Sequence, residues 1–228
     1  MNVIRFAVIF DMDGTLFQTE KILVPALHKT FDRLRSAGEW KGETPVQKYL
    51  KILGGTLPEV WRQLLPDAAE KTREEADKWF LEYLIEEIQQ GNGELYPEVM
   101  ATLEQLKKNG IPLFVASNGL ERYIDAINQY FSLGQYIIDF YSVGRFQCTS
   151  KSALVGKLLK DYRIEKAIMI GDRISDIQAA KDNKLWSVGC QFGFADHSEL
   201  AEADYIVNQF SEIVSIVQRI WQKADVVS

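Results

Sequence analysis

Short, uninterrupted apolar segments that end at a polar residue or a glycine constrain the fold of this chain most strongly. These segments are Phe6–Phe10, Ile111–Ala116, Ala167–Ile170, Trp186–Cys190 and Tyr205–Val207. Because their apolar residues are continuous rather than alternating, they indicate strands that are buried on both faces of a parallel sheet. Amphipathic helical patterns follow at Val99–Asn109, Ala153–Tyr162 and Ser175–Asn183. Strands that alternate with helices predict a doubly wound α/β fold with a mostly parallel sheet.

The segment between Phe17 and Gly93 interrupts this alternation. It carries helical patterns and no convincing strand, at Ile22–Leu34, Val46–Leu53, Leu57–Leu65 and Glu74–Gln90. We therefore predict an all-helical insertion over residues 17–93 and an α/β domain formed by residues 1–16 and 94–228. A chain of 228 residues is long enough for one such domain with a smaller insert.

Composition narrows the classes of function. The chain has 26 basic and 32 acidic residues, a net charge of −6, whereas a nucleic-acid surface needs a basic face. No stretch approaches the roughly 18 apolar residues that span a bilayer, so we expect no membrane segment. No signal-peptide pattern precedes Asp11, and Cys148 and Cys190 show no metal-ligand spacing. We therefore expect a cytoplasmic protein with reduced thiols and no nucleic-acid partner.

Polar residues follow three of the expected strands. They are Asp11-Met12-Asp13-Gly14-Thr15, Ser117-Asn118-Gly119, and Gly171-Asp172 with Asp176. Ligands of open parallel sheets bind beyond the carboxyl ends of the strands. Several carboxylates at one edge repel one another unless a cation is present, and Mg²⁺ prefers oxygen ligands. The pattern thus predicts a Mg²⁺ site that accepts an anionic substrate despite the negative net charge.

The motif Asp11-Met12-Asp13-Gly14-Thr15-Leu16 resembles the signature of the haloacid dehalogenase-like superfamily, in its phosphatase branch. Ser117, Lys151 and Gly171-Asp172-Arg173-Ile174-Ser175-Asp176 follow in the order of the remaining family motifs, so the resemblance spans almost the whole chain. The insertion is similar to the family's helical cap. The Asp204-Tyr205 segment and the final helix are similar to phosphoglycolate phosphatase-like members. The resemblance implies a Rossmann-like core and a Mg²⁺-dependent phosphatase that acts on a small-molecule phosphate ester.

The resemblance also implies roles for four aspartates. Asp11 is expected to attack phosphorus and become a phosphoaspartate. Asp13 is expected to protonate the leaving oxygen and then to activate the hydrolytic water. Asp11, Asp172 and the backbone carbonyl of Asp13 are expected to hold Mg²⁺, which Asp176 supports directly or through water.

Ser117, Asn118 and Lys151 are expected to bind the phosphate, with backbone N–H groups near Gly119 as additional donors. The family often has Lys-Pro where this chain has Lys151-Ser152. Arg173 departs from the small residue that is common at its position. A surface role, a salt bridge with Asp176 and a phosphate contact all remain open for it.

Several alternatives remain open at this point. A β-phosphoglucomutase-like mutase uses the same two aspartates as Asp11 and Asp13. A haloacid dehalogenase needs neither a second acid nor a metal, and a phosphate-binding regulatory protein needs no turnover. Phosphoglycolate, a sugar phosphate, a nucleotide and pyrophosphate are all candidate substrates. Gly54-Gly55-Thr56 is equally a substrate-specificity loop or an ordinary turn, and hinges are expected near Leu16–Thr19 and Gly91–Pro97.

Overall fold

The computed structural model of this chain describes residues 3–52, 57–194 and 198–225, so the Gly54-Gly55-Thr56 segment lies outside the described residues. The chain forms two compact units. One comprises the chain up to Gln18 together with the chain from Leu95 onward, and the other comprises Thr19–Glu94. The insertion was expected over residues 17–93. Phe17 instead packs on Phe131 of the α/β unit, with ring centroids 6.0 Å apart, and forms a β-bridge with Leu95.

The α/β unit is built on a six-stranded sheet in which every neighbouring pair of strands is parallel. The strands are β1 (Ile4–Phe10), β2 (Leu113–Ser117), β3 (Asp139–Ser142), β4 (Ile164–Gly171), β5 (Trp186–Cys190) and β6 (Tyr205–Val207). Their order across the sheet is β3-β2-β1-β4-β5-β6. This order and the flanking helices confirm the predicted doubly wound α/β fold.

Helices cover both faces of the sheet. Those of the α/β unit are α5 (Val99–Lys108), α6 (Glu121–Phe131), α7 (Val143–Phe146), α8 (Lys151–Tyr162), α9 (Ile174–Asp182) and α10 (Glu212–Asp225). Ala7 and Ile9 of β1 share a buried cluster with Leu154 and Leu158 of α8. Phe10, the next residue of β1, stacks on Phe210, which lies just before α10. Their ring centroids are 5.9 Å apart. Successive strand residues therefore face opposite helical layers, which explains the uninterrupted apolar runs.

Two elements, β3 and α6, were not expected from the sequence. The Asp139-Phe140-Tyr141-Ser142 segment of β3 is short, and its first two residues are half-buried at the edge of the sheet. An edge strand needs fewer apolar residues, so it lacks the continuous run that marked the other strands. α6 does carry a helical signal, because its buried residues Tyr123, Ile124, Ala126 and Ile127 recur at the spacing of one helix face.

The second unit has only helices and loops in its described part. It contains α1 (Glu20–Ser36), α2 (Val46–Lys51), α3 (Leu57–Leu64) and α4 (Glu70–Gln89). Its core joins three of these helices, since Trp61 of α3 packs on Phe31 of α1 and Phe80 of α4, at 6.4 and 5.6 Å between ring centroids. Trp79 and Tyr83 of α4 are half-buried. Among the described helices of the chain, none is long and apolar enough to cross a membrane.

Candidate active site

The carboxyl ends of β1 and β4 lie side by side at the centre of the sheet, where the strand order reverses direction. Asp11 follows β1, and Asp172 follows β4. The backbone N–H of Asp11 donates to the carbonyl of Ile170 at 2.8 Å, which extends the pairing of the two strands to the first aspartate. This place is called a switch point, because the chain segments that follow the two strands pass to opposite faces of the sheet. A crevice for ligands opens between them.

Three buried carboxylates meet at this switch point. Asp11, Asp172 and Asp176 each offer one oxygen, and these oxygens lie within 4.8 Å of one another. Asp176 comes from the first turn of α9, where its Oδ2 accepts a hydrogen bond of 2.9 Å from the backbone N–H of Arg173. This bond caps α9 and fixes the orientation of the Asp176 carboxylate.

Lys151, the first residue of α8, lies between two of the carboxylates. Its Nζ is 2.6 Å from Asp11 Oδ1 and 2.5 Å from Asp176 Oδ1, and the residue is buried. One ammonium therefore faces three carboxylates. If all of these groups are ionised, the cluster carries an excess of negative charge in a place where water cannot screen it.

Burial and the charges of the neighbouring groups shift the pKa values of the cluster. Burial raises the pKa of Asp11 well above its ordinary value, the Lys151 charge opposes this, and the neighbouring aspartates add to it. Burial and the Asp176 charge raise the pKa of Asp172 to about 7. Burial alone would lower the pKa of Lys151, but the pairs with Asp11 and Asp176 outweigh it and raise that pKa. The lysine stays charged, whereas the carboxylates need further positive charge to ionise together.

A turn after β5 holds Asp172 in place. The backbone N–H of Phe194 donates to Asp172 Oδ2 at 2.6 Å. A Cβ at Gly193 would lie 2.4 Å from the Asp172 Cβ, and one at Gly14 would lie 2.2 Å from Asp172 Oδ2. Gly14 also has a φ of +73°, which favours glycine. Two glycines thus let the backbone approach the carboxylate from both sides.

The carboxylate of Asp13 contacts a different partner. Its Oδ1 accepts a hydrogen bond of 2.6 Å from the Tyr123 hydroxyl of α6. Asp13 lies outside the group of three carboxylates that could hold a metal. Asp13 could therefore hold a metal through its backbone carbonyl and transfer a proton through its side chain. The two roles use different atoms.

The remaining residues of the expected site lie at the same edge of the sheet. Ser117 ends β2 and is buried, and its Oγ accepts a hydrogen bond of 3.0 Å from the Gly119 N–H. Asn118, next in the chain, is exposed. Arg173 contacts Asp176 through its backbone, while its guanidinium pairs with Glu199 at 3.0 Å.

Tyr123, Gly193 and Phe194 also contribute to the site and were not expected from the sequence. Tyr123 lies in the first turn of α6, close behind the Ser117 motif, where side chains of a following helix regularly face the strand ends. Gly193 and Phe194 follow the carboxyl end of β5. The rule that ligands bind beyond strand ends could have drawn attention to both positions.

Comparison with known proteins agrees with this architecture. A model of the haloacid dehalogenase-like hydrolases matches residues 7–183. A phosphoglycolate phosphatase from Aquifex aeolicus is 34% identical over 179 residues, which cover 76% of this chain and 79% of the relative. A pyrophosphatase, PpaX, from Listeria monocytogenes is 24% identical over 92% of this chain and 95% of its own length. The crystal structure of a predicted phosphatase from Clostridium acetobutylicum has a TM-score of 0.78 at 24% identity, covering 96% of this chain and 100% of its own, and supports the fold.

Buried carboxylates surround one lysine at the switch point of a doubly wound sheet, and these groups could hold a cation. The chain belongs to the haloacid dehalogenase-like hydrolases. Relatives that match this chain over most of its length are phosphatases, and this chain is a phosphatase of that family.

The residues at the switch point fit a divalent metal ion. Asp11, Asp172 and Asp176 supply hard oxygen donors, which Mg²⁺ prefers over nitrogen or sulfur. Burial and the neighbouring carboxylates raise the pKa of Asp11 and of Asp172, although the ammonium of Lys151 lowers both. A bound divalent cation would supply the missing positive charge.

Proposed function

We propose that this chain is a Mg²⁺-dependent phosphatase that hydrolyses a small phosphate monoester through a phosphoaspartate on Asp11. The observation that carries the proposal is the cluster of Asp11, Asp172 and Asp176 around Lys151 at the switch point of the sheet. Asp11, Asp172 and the backbone carbonyl of Asp13 would hold the ion, with Asp176 as a further ligand or as support through water. Bound Mg²⁺ would neutralise charge on the carboxylates and on the transferring phosphoryl group.

Asp11 is the proposed nucleophile. To attack phosphorus it must be ionised, and burial opposes ionisation by raising its pKa. The ammonium of Lys151, 2.6 Å away, favours the ionised form. One oxygen of Asp11 forms the new bond to phosphorus as the bond between phosphorus and the leaving oxygen breaks.

Asp13 is the proposed acid and base. It donates a proton to the leaving oxygen while the phosphoaspartate forms. It then accepts a proton from the water that attacks this intermediate, so that inorganic phosphate and ionised Asp11 are released. The two carboxylates can divide these tasks because Asp13 contacts Tyr123, whereas Asp11 contacts Lys151.

Lys151 and Ser117 are the proposed phosphate ligands, together with the backbone near Asn118. Lys151 is held in place by Asp176 as well as by Asp11, so its ammonium is fixed before the substrate binds. A fixed positive charge is well suited to stabilise the charge of the transferring phosphoryl group. The helical unit of Thr19–Glu94 is the proposed cap, which would exclude bulk water and select the substrate.

The test is phosphate release by the purified chain from phosphoglycolate, a sugar phosphate, a nucleotide and pyrophosphate. We expect turnover with Mg²⁺, none in EDTA, and recovery when Mg²⁺ is added back. Asp11→Asn should abolish turnover and keep the fold, since it removes one of three mutually repelling carboxylates. Rapid quenching with substrate labelled on phosphorus should leave label on the wild-type protein and none on Asp11→Asn. Turnover by pure Asp11→Asn protein would refute the phosphoaspartate.

The same panel tests two competing assignments. The pyrophosphatase relative favours an anhydride as a second candidate substrate, and cleavage of pyrophosphate in preference to every monoester would support it. A mutase would return the phosphoryl group to the sugar. Release of inorganic phosphate without an isomerised sugar phosphate would exclude that reaction.

A further inference from the structure

Tyr123 connects α6 to the loop after β1 by a hydrogen bond to Asp13. Its hydroxyl donates to Asp13 Oδ1 at 2.6 Å, although the two residues are 110 positions apart in the chain. A bond from a phenol to a carboxylate is short and strong compared with one between neutral groups. Asp13 therefore has a specific partner at the end of a neighbouring helix.

The position of the Tyr123 hydroxyl is set by packing as well as by this bond. The residue is only 5% exposed. Its ring lies edge-on to the fully buried ring of Phe17, with 6.4 Å between centroids. Its backbone N–H donates to the Leu120 carbonyl in the first turn of α6. Because the residue is buried and its ring packs on Phe17, the hydroxyl is in place before any substrate arrives.

We propose that Tyr123 is a positioning residue for Asp13, an inference that rests on the proposed function. The Tyr123 hydroxyl donates to Oδ1 and thereby fixes the rotamer of the Asp13 side chain. The other oxygen, Oδ2, then transfers the proton. It gives this proton to the leaving oxygen as Asp11 bonds to phosphorus, and it takes one from water as the phosphoaspartate is hydrolysed.

The proposal predicts a loss that depends on the leaving group. An alkoxide is a poor leaving group and needs a proton from Asp13 as the bond to phosphorus breaks. A p-nitrophenolate leaves without one. The ratio kcat/KM reports the steps up to formation of the phosphoaspartate, so a misplaced Asp13 lowers this ratio for an alkyl phosphate and spares p-nitrophenyl phosphate. A purely structural role for Tyr123 would lower both values alike.

The decisive variant is Tyr123→Phe, which removes the hydroxyl and keeps the ring against Phe17. We expect kcat/KM to fall about 10-fold or more for the best alkyl phosphate of the ester panel, and no more than about 3-fold for p-nitrophenyl phosphate. Tyr130→Phe is the matched control, because Tyr130 lies on the same helix and is 47% exposed. It should leave both values unchanged.

Asp13→Asn separates this inference from the proposed function. Asp13→Asn should lower kcat/KM for the alkyl phosphate more than for p-nitrophenyl phosphate. Adding Tyr123→Phe to Asp13→Asn should cause little further loss, because the two residues act on one step. Equal losses for both esters in Asp13→Asn would refute the acid role of Asp13, and with it the role of Tyr123. A selective loss in Asp13→Asn, together with equal losses or no loss in Tyr123→Phe, would refute the positioning role alone.

Discussion

The ammonium of Lys151 lies 2.5 Å from a carboxylate oxygen of Asp176, and both side chains are buried. The same ammonium pairs with Asp11 at 2.6 Å. One lysine thus links the first residue of α8 to the loop after β1 and to the first turn of α9. Its removal would leave two buried carboxylates without their nearest positive charge.

We expect Lys151→Met to destabilise the metal-free protein by about 3–5 kcal/mol, the usual cost of leaving a buried charge without its partner. We also expect turnover to fall by roughly 100-fold or more, because the fixed charge facing the phosphoryl group is lost. Urea unfolding in chelator and turnover with Mg²⁺ measure the two effects. Lys157→Met is the control, since Lys157 lies on the same helix and forms an exposed pair with Asp161. Its expected cost is about 0–1 kcal/mol.

The stability of the metal-free protein should fall as pH rises from about 4 to about 7. Burial raises the pKa of Asp172 from an ordinary 3.8 to about 7. Within this window the folded chain therefore binds more protons at Asp172 than the unfolded chain, and such a difference lowers stability as pH increases. Thermal unfolding in chelator across this range measures the slope. Asp172→Asn should flatten it, and so should Mg²⁺, which favours the ionised carboxylates. An equally steep slope in Asp172→Asn would contradict this assignment.

Gly193→Ala should disturb Asp172 directly. The added Cβ would lie 2.4 Å from both the Asp172 Cβ and the Gly14 carbonyl oxygen, so the turn or the carboxylate must shift. We expect turnover to drop about 10-fold or more and stability to fall by about 1–3 kcal/mol. Steady-state kinetics over a range of Mg²⁺ concentrations, together with urea unfolding, provide the measurement. Gly134→Ala should cost much less, because its Cβ would lie 3.3 Å from Asn128 Oδ1 and a small movement of that side chain relieves the contact.

Phe80→Ala tests the core of the helical unit. The Phe80 ring is 1% exposed and lies 5.6 Å from the rings of both Tyr49 and Trp61. Truncating such a ring leaves a cavity and costs about 3–5 kcal/mol. Faster hydrogen exchange of the backbone amides in residues 19–94 would report it. Lys78→Ala, on the exposed face of the same helix, should leave the exchange rates unchanged.

Much of the fold could be predicted because its signals are local. The apolar runs of β1, β2, β4, β5 and β6 are long enough to be recognised, and the positions of the acids directly after β1 and β4 follow from the chain alone. Convergence of parallel strand ends then predicts that Asp11 and Asp172 lie close together. β3 gave no such signal, since an edge strand of four residues needs no continuous apolar run.

The sequence by itself determined which residue types stand at the ends of the strands, and hence the chemistry available there. Only the tertiary structure decided which atoms meet: the Lys151 ammonium with Asp11 and Asp176, the Phe194 amide with Asp172, and the Tyr123 hydroxyl with Asp13. The physical reason is that these contacts, at 2.5–2.6 Å, depend on helix placement to within a fraction of an ångström. That placement results from the packing of the whole core, which no local pattern encodes.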